Sequence, residues 1–248
     1  MDTIGVIGAM EEEIELLKQK LHESETYTRA GNTFYIGKLH NSRIVLLKSG
    51  IGKVNAAIGT TILISKYDPI CLINTGSAGA VYSDLNIGDV VISSDVYHHD
   101  VDVTAFGYEY GQVPQLPHAF LPHDDLVAMA EKAGQALDGI DVHLAGIATG
   151  DSFMNKPEKI NEIRDRFPTV AATEMEAASI AQTCHQFSKP FIIIRSISDK
   201  ADKDASVSFD TFIKTAADNS AKMVLGMIHS LRDYVVDKEF RRSKEILS

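Results

Sequence analysis

The stretch Phe191-Ile-Ile-Ile-Arg-Ser-Ile-Ser-Asp-Lys-Ala-Asp202 decides the fold class of this chain. Its first four residues are apolar, three of them β-branched isoleucines, and they follow Pro190. Such a run is typical of a strand that is buried on both faces of a sheet. The stretch then becomes polar, with Arg195 and Asp199 near its carboxyl end. Because open α/β sheets place their ligands at that end, we expect Asp199 to lie in a functional site.

Other apolar runs on the amino-terminal side predict the remaining strands of the sheet, over residues 4–7, 33–39, 44–48, 70–75, 90–96 and 142–149. Helical spacing of apolar residues predicts helices over residues 11–20, 54–64, 124–137, 156–167, 175–187 and 209–231. This alternation predicts a mainly parallel sheet that is covered by helices on both faces. The connection His40-Asn41-Ser42 predicts an antiparallel hairpin, so the sheet is expected to be mixed.

Length and composition indicate one globular domain. The chain has 248 residues, of which 44% are apolar and 23% are charged, and no Pro/Gly/Ser-rich linker divides it. We predict a single domain over residues 1–232 and a charged, partly disordered tail over residues 233–248. The formal net charge of -10 repels phosphate backbones and anionic lipid, so neither nucleic acid nor a membrane is an expected partner.

The cysteines and the amino terminus indicate the compartment. Cys71 and Cys184 lie far apart and form neither a metal-binding spacing nor a disulfide framework, so we expect buried, reduced thiols. The chain begins without a basic segment, and no apolar run approaches the roughly 18 residues of a membrane span. These features predict a soluble, cytoplasmic protein.

Two glycine-containing segments are candidate ligand-binding turns. Gly50 and Gly52 precede a helix, but Leu47 and Val54 stand where a Walker phosphate loop has Gly and Ser or Thr, which excludes that motif. The stretch Asn74-Thr-Gly-Ser-Ala-Gly-Ala80 is predicted to turn after a buried strand. It either presents backbone amides to a small ligand or makes a tight connection.

Acidic residues and a Phe-Met pair follow other predicted strands. Glu13 lies beside the buried stripe of the first helix and is placed to point inward, although acids in a first helical turn also stabilise the helix dipole. Glu174 and Glu176 lie among Ala, Thr and Met, which predicts at least one buried carboxylate. A pair of sugar hydroxyls would satisfy it. Phe153 and Met154 either sandwich a flat base or pack in the core.

A segment over residues 98–122 has little periodicity. Loops of this length in compact domains are usually functional or disordered, and aromatic residues in this one favour packing against another surface, such as a second subunit. The adjacent residues His98 and His99 have no recognised ligand spacing, so a metal site is not expected.

Seven motifs, in order along the chain, resemble those of the bacterial 5'-methylthioadenosine/S-adenosylhomocysteine nucleosidases. They are Ala9-Met-Glu-Glu-Glu13, Lys48-Ser-Gly-Ile-Gly-Lys-Val54, Asn74-Thr-Gly-Ser-Ala-Gly79, Asp102-Val-Thr-Ala-Phe-Gly-Tyr108, Gly150-Asp-Ser-Phe153, Glu174-Met-Glu-Ala177 and Arg195-Ser-Ile-Ser-Asp199. They extend the resemblance from residue 4 to about residue 231, and jointly they are highly specific.

The resemblance implies a fold and a reaction. The fold is a three-layer α/β/α domain around a mixed, barrel-like sheet of the nucleoside phosphorylase type, assembled as a homodimer. The family hydrolyses the N-glycosidic bond of adenine nucleoside thioethers, 5'-methylthioadenosine and S-adenosylhomocysteine. The products are adenine and 5-methylthioribose or S-ribosylhomocysteine, formed without a metal or an organic cofactor. Methionine salvage and the activated methyl cycle are the implied pathways.

The resemblance also implies roles for individual residues. Glu13 matches the base that activates water, and Asp199 matches the acid that protonates adenine N7. Met175 and Glu176 match the ribose site. The adenine pocket, its neighbouring turn and its apolar walls are matched by Phe153, Met154, Ser198, Gly79, Ser77, Ile51, Met10 and Phe209. Arg195 is also predicted to bind substrate. The loop that the family lends to the neighbouring subunit's alkylthio pocket is matched by Val103, Phe106 and Pro114.

Two other function classes stay open at this point. A phosphate-dependent purine nucleoside phosphorylase of the same fold would need arginines and glycine amides that converge on phosphate. A non-catalytic nucleoside-binding protein would keep the pocket but lack one of the two catalytic carboxylates, and both Glu13 and Asp199 are present. Turnover without phosphate distinguishes a hydrolase from a phosphorylase.

Overall fold

The structure is a computed structural model that describes residues 2–40, 42–201 and 205–246, with side chains described up to residue 231. The strands within these residues are β1 (Thr3–Gly8), β2 (His22–Arg29), β3 (Asn32–Leu39), β4 (Ser42–Lys48), β5 (Cys71–Ala80), β6 (Val90–His98), β7 (Val142–Thr149), β8 (Val170–Glu174) and β9 (Phe191–Asp199). The helices are α1 (Glu11–Lys20), α2 (Lys53–Tyr67), α3 (Asp124–Gly134), α4 (Pro157–Arg166), α5 (Ala177–Gln186) and α6 (Ala205–Ile246). A short 3-10 helix, Thr104–Phe106, lies between β6 and α3.

The strands form one mixed sheet that closes on itself. Across the described residues the strand order is β2-β3-β4-β1-β5-β8-β7-β6-β9, and β9 pairs again with β5. Five strands therefore form a closed, barrel-like sheet, from which β1, β4, β3 and β2 extend outward. β5 runs parallel to β1 and β9 and antiparallel to β8. The predicted mixed sheet and the β3–β4 hairpin are confirmed.

Helices cover both faces of the sheet, and an apolar cluster fills each interface. One cluster includes Leu63 of α2 and Ile180 of α5. The other includes Ile14 of α1, Leu126 of α3 and Val224 of α6. This arrangement is the α/β/α layering expected for a sheet whose strands are buried on both sides.

β9 is the wall that the two clusters share. Ile193 and Ile197 belong to the cluster of α2 and α5, whereas Ile192 and Ile194 belong to the cluster of α1, α3 and α6. Successive side chains of a strand point to opposite faces, so a strand covered on both faces needs apolar residues at every position. Each fully buried isoleucine contributes about 1.5–3 kcal/mol relative to an exposed one.

Two strands were not predicted from the sequence, and one predicted turn is wrong. β2 has the polar sequence His-Glu-Ser-Glu-Thr-Tyr-Thr-Arg and lies at the exposed edge of the sheet, so it carries no apolar signal. β8 is only five residues long and was not predicted either. The predicted turn over residues 74–80 is wrong, because β5 continues to Ala80. Its last residues pair with β8 and β9, as Gly79 does with Thr173 and Asp199, and this pairing closes the barrel.

Helix boundaries also shift at the two ends of the site. α5 begins at Ala177 because Glu176, predicted to be helical, is its non-helical N-cap. α6 begins four residues earlier than predicted, at Ala205, and extends to Ile246. Residues 202–204 lie outside the described structure, as do all side chains of the predicted tail over residues 233–248. The division at residue 232 therefore stays a prediction.

Both cysteines are buried and free, as predicted. Burial raises the pKa of the Cys71 thiol to about 12, and burial also raises the pKa of Cys184. In the part of the chain that the structure describes, no helix is long and apolar enough to cross a membrane.

Candidate active site

A cavity of about 470 Å³ lies at the carboxyl ends of several strands. β1, β5, β7, β8 and β9 all end or pass beside it, the position at which α/β sheets hold ligands. All residues predicted for the site within one subunit line it except Arg195. These residues are Met10, Glu13, Ile51, Ser77, Gly79, Phe153, Met154, Met175, Glu176, Ser198, Asp199 and Phe209.

Four donors hold the carboxylate of Glu13 in place. Its Oε2 accepts hydrogen bonds from the amides of Ala9 at 2.7 Å and Met10 at 3.2 Å. Its Oε1 accepts from the amide of Ser77 at 2.9 Å and from the Ser77 hydroxyl at 3.2 Å. Glu13 is the third residue of α1, so its side chain reaches back to the start of the helix as in a capping box. Both oxygens are thereby fixed between β1 and β5.

Two glycines give this carboxylate its room. A Cβ atom on Gly76 would lie 2.2 Å from Nη1 of Arg195 and 2.5 Å from Oε1 of Glu13. A Cβ atom on Gly8 would lie 2.6 Å from Cγ2 of Ile14 and 3.3 Å from Cβ of Glu13. Glycine at both positions therefore lets α1 and the Arg195 side chain approach the strands closely.

One buried guanidinium faces three buried carboxylates. Nη2 of Arg195 donates a hydrogen bond to Glu174 and lies 3.4 Å from Oε2 of Glu176, and Nη1 lies 3.8 Å from Oε1 of Glu13. Nη2 also donates to Oδ1 of Asn74 at 2.8 Å. None of the three glutamates is more than 8% exposed. If all of them were ionised, the single positive charge would leave an excess of negative charge in a low-dielectric region.

Glu176 is the carboxyl group that responds to this excess. Its burial and the negative charge of Glu174 raise its pKa to about 8, against the opposing effect of Arg195. Its Oε1 accepts a hydrogen bond from the amide of Gly52 at 2.8 Å. Burial acts to lower the pKa of Arg195, but the surrounding carboxylates outweigh it and raise that pKa. The folded state therefore favours the protonated form of Glu176.

Asp199 ends β9 on the other side of β5. Its Oδ1 accepts from the amide of Ala201 at 2.8 Å, and the Ser198 hydroxyl lies 2.9 Å from its Oδ2. A Cβ atom on Gly79 would lie 2.9 Å from Oδ1, so glycine allows the carboxyl group to pack against the β5 backbone. Asp199 is 2% exposed.

Glu13 and Asp199 approach β5 two residues apart. Glu13 binds Ser77, and Asp199 packs on Gly79, so both carboxyl groups meet the same face of the strand. Two residues of a strand span about 7 Å. A single small molecule in the cavity can therefore contact both groups.

Apolar side chains form the remaining walls. The rings of Phe153 and Phe209 meet edge to face, with centroids 5.9 Å apart. Phe153 and Ile51 stay 43% and 50% exposed although both line the cavity, whereas Met154 is buried. Partly exposed aromatic and aliphatic surfaces around a few fixed polar groups are typical of a site for a flat, largely apolar ligand.

Comparisons with known proteins identify the family. Residues 3–229 match the family described as the phosphorylase superfamily. The 5'-methylthioadenosine/S-adenosylhomocysteine nucleosidase of Bacillus subtilis (strain 168) is 55% identical over 225 residues, which are 91% of this chain and 97% of the relative. The chain belongs to this nucleosidase family, within the phosphorylase superfamily.

Solved structures agree with the nucleosidase assignment. The 5'-methylthioadenosine/S-adenosylhomocysteine nucleosidase of Neisseria meningitidis, in complex with methylthio-immucillin-A, has a TM-score of 0.91 and 50% identity, covering 93% of this chain and 100% of that one. Futalosine hydrolase of Helicobacter pylori has a TM-score of 0.88 and 34% identity, covering 92% of this chain and 98% of that one. The nucleoside phosphorylase-like fold that the sequence predicts is thus confirmed.

The nucleosidase cavity includes residues that sequence reasoning did not assign to it. They are Ala9, Ala78, Ser152, Thr173, Glu174, Ser206 and Asp210. Most of them are neighbours of predicted residues, and Glu174 already stood out as half of an acidic pair. Ser206 had no such signal, because only the packing of the first turns of α6 brings it to the cavity.

The predicted site residues outside this nucleosidase cavity fall into two groups. Arg195 is 1% exposed and lies behind the carboxylates that it binds. Its place is therefore in the support of the site, and it does not line the cavity. Val103 is half-buried, whereas Pro114 and Phe106 are exposed, the latter by 81%. They lie on the long loop after β6, away from their own subunit's cavity.

The histidines of that loop are held by protein contacts. His98 Nε2 lies 2.9 Å from Oε1 of Gln182, and the ring of His99 packs against Gly150. Burial lowers the pKa of both histidines. Among the residues that the structure describes, no three His, Cys, Asp or Glu side chains are grouped to hold a metal ion. The absence of a cofactor stays a prediction.

Proposed function

We propose that the protein hydrolyses the N-glycosidic bond of 5'-methylthioadenosine and S-adenosylhomocysteine, releasing adenine and 5-methylthioribose or S-ribosylhomocysteine. The observation that carries the proposal is the placement of Glu13 and Asp199, both buried, at two neighbouring positions of β5 on one cavity. Membership of a family of N-glycosyl hydrolases that act on adenosine derivatives supports it.

The two carboxyl groups act on opposite ends of the breaking bond. Asp199 donates a proton to adenine N7, which makes adenine a neutral leaving group as the bond between C1' and N9 breaks. Glu13 accepts a proton from the water whose oxygen attacks C1' of the oxocarbenium-like ribosyl group. General acid or base catalysis of this kind contributes about 10²- to 10⁴-fold each. The separation of about 7 Å along β5 suits a sugar and a water between the two groups.

The other lining residues position the nucleoside. Glu176 hydrogen-bonds the two ribose hydroxyls, and Met175 packs against the sugar. Phe153 and Met154 contact the adenine ring, with Ser198 beside it. Each of these groups lines the cavity already described. Such positioning lowers the entropic barrier of the reaction.

The charge of the cavity disfavours the phosphorylase alternative. Its described lining has five acidic residues and neither lysine nor arginine. Arg195, the nearest guanidinium in the described contacts, is already bound to Glu174 and Asn74. Phosphate needs cationic groups and amides that converge on its oxygens, so this cavity would repel it.

We propose that the protein works as a homodimer in the cytoplasm, within methionine salvage and the activated methyl cycle. The exposed ring of Phe106, with Val103 and Pro114, would complete the alkylthio end of the neighbouring subunit's cavity. Val54 and Ile58, exposed apolar residues in the first turns of α2, add a candidate subunit interface.

The deciding experiment is turnover with and without phosphate. Purified protein is incubated with 5'-methylthioadenosine in phosphate-free buffer, and adenine and the sugar product are quantified. We expect adenine and 5-methylthioribose at a rate that added phosphate does not raise. Activity that appears only with phosphate and yields the sugar phosphate would refute hydrolysis. Lack of adenine release under both conditions would refute the nucleosidase assignment itself.

A further inference from the structure

A closed ring of hydrogen bonds lies beside the cavity but outside its lining. The Lys53 ammonium donates to Oδ1 of Asp100 at 2.6 Å, and the Asp151 amide donates to Oδ2 of Asp100 at 3.0 Å. The Lys53 amide donates to Oδ1 of Asp151 at 2.8 Å, which completes the ring. The three residues follow β4, β6 and β7, so the ring ties together the connections that leave these three strands.

Each of two members of this Lys53-Asp100-Asp151 ring adjoins a different half of the cavity. Gly52, next to Lys53, donates a hydrogen bond from its amide to Oε1 of Glu176 at 2.8 Å, in the part of the cavity that the proposed function assigns to ribose. Phe153, two residues after Asp151, lines the part of the cavity that the proposed function assigns to adenine. The approach of the loops of Lys53 and Asp151 to each other therefore contributes to the distance between Glu176 and Phe153.

The backbone is shaped for that approach. Gly52 has φ of +96°, a backbone conformation that favours glycine. A Cβ atom there would also lie 3.0 Å from Oδ1 of Asp151, which favours glycine for steric reasons. On the other side, a Cβ atom on Gly150 would lie 2.3 Å from the ring of His99. The loops that follow β6 and β7 are thus packed as closely as the hydrogen bonds among Lys53, Asp100 and Asp151 require.

The ion pair within the ring is partly shielded from water. The side chains of Lys53 and Asp100 are 21% and 28% exposed. Burial acts to raise the pKa of Asp100, but the hydrogen bonds from Lys53 and from the Asp151 amide outweigh it and lower that pKa. Partial burial makes a charge-assisted pair stronger than an exposed one. The pair of Asp68 and Lys189, 2.5 Å apart with Asp68 86% exposed, is the exposed counterpart in the same chain.

We propose that Asp100 is a positioning residue for hydrolysis. Through Lys53 and Asp151 it holds Glu176 and Phe153 at the separation that one nucleoside spans, without touching the substrate itself. The inference rests on the proposed function. A positioning role can be distinguished from a merely structural one by comparing two ligands. Loss of the correct spacing should weaken turnover of a whole nucleoside but should not weaken binding of adenine, which occupies only one half of the cavity.

The test compares Asp100→Asn with the wild type on two ligands. Asn retains an oxygen for the Asp151 amide but cannot accept from the Lys53 ammonium, so the ring opens at one bond. We expect kcat/KM for 5'-methylthioadenosine to fall about tenfold, since a misplacement of about 1 Å costs up to about 10²-fold. The dissociation constant of free adenine should stay within about twofold, since one half of the cavity is intact.

Further variants identify the ring as the cause. Lys53→Met should reproduce the loss, and combining it with Asp100→Asn should add little, as expected for partners in one interaction. Lys53→Arg should restore most of the activity because it keeps a cationic donor. Asp68→Asn, which removes the exposed ion pair at a distance from the cavity, should leave kcat/KM unchanged.

Two outcomes would overturn the proposal: kcat/KM of Asp100→Asn within about twofold of the wild type, or adenine binding lost in parallel with turnover. A wild-type protein that releases no adenine would instead refute the proposed function. In that case the affinities of a 5'-methylthioadenosine analogue with a carbon–carbon glycosidic bond and of adenine give the same comparison without turnover. Equal effects on both ligands would count against the positioning role.

Discussion

Replacing Glu176 by glutamine is expected to make the protein more stable at alkaline pH while it impairs catalysis. Burial and the neighbouring Glu174 carboxylate raise the pKa of Glu176 from the ordinary 4.5 to about 8. A carboxyl group whose pKa is raised by folding contributes its full stability below pH 4.5. It loses that stability as the pH rises towards 8, because the unfolded chain ionises freely. Glutamine has a similar shape and does not ionise.

The magnitude follows from the two pKa values. Between pH 6 and pH 9 the carboxyl group of the unfolded chain is already ionised, whereas that of the folded protein gives up its proton only near pH 8 and above. The group therefore costs the wild type about 2.5 kcal/mol of unfolding free energy over that interval. The difference in unfolding free energy between Glu176→Gln and the wild type should rise with pH by this amount. A change in unfolding free energy that does not depend on pH, such as that from an imperfect hydrogen bond to Gly52, cancels when values at different pH are compared.

The assay is urea denaturation at pH 6, 7, 8 and 9, followed by circular dichroism at one protein concentration. Glu131→Gln, which removes an exposed carboxylate of α3, is the matched control and should track the wild type. The same samples should show weaker ribose binding and slower turnover for Glu176→Gln, the expected trade between stability and activity. Stability curves of Glu176→Gln and wild type that run parallel from pH 6 to pH 9 would refute the reasoning.

Three further predictions test the site. Glu13→Gln should lower the rate of adenine release by about 10²-fold or more without unfolding the protein, and nearly full activity would contradict its assignment as the base. Gly76→Ala should cost about 1–3 kcal/mol by overpacking against Arg195 and Glu13, as measured by denaturation, and should also reduce turnover. The control is Gly31→Ala, at φ of +77° with no atom within 4 Å of the new methyl group, which should cost only about 1 kcal/mol of unfolding free energy and keep activity. Equal activity losses in Gly76→Ala and Gly31→Ala would exclude the steric explanation. Phe106→Ala should raise KM for long alkylthio substrates several-fold more than it weakens adenine binding, and equal effects would contradict a shared site.

Secondary structure was predictable where its signal is local. Apolar runs identify β9 and β5, and the polarity change at the end of β9 places Asp199 at a ligand-binding edge. β2 and β8 escaped prediction because an exposed edge strand needs no apolar face and a five-residue strand shows little periodicity. The continuation of β5 through Gly76 and Gly79 depends on partners more than 90 residues away in sequence.

Site residues were predictable where they belong to a sequence motif, whereas the residues that hold them in place were not. Glu13, Glu176 and Asp199 were all assigned from sequence, and all line the cavity. Arg195 was assigned to the substrate, but the structure places it behind the carboxylates. The hydrogen-bond ring of Lys53, Asp100 and Asp151 likewise has no local signal.

The sequence by itself determined the α/β class, the strand ends that carry carboxylates, and the family motifs, since each depends on residues that are close along the chain. Only the tertiary structure decided that three glutamates share one guanidinium, and hence that the pKa of Glu176 is raised. A pKa depends on burial and on charges within a few ångströms. Closure of the barrel brings residues 13, 174, 176 and 195 to those distances, and no spacing along the chain encodes them.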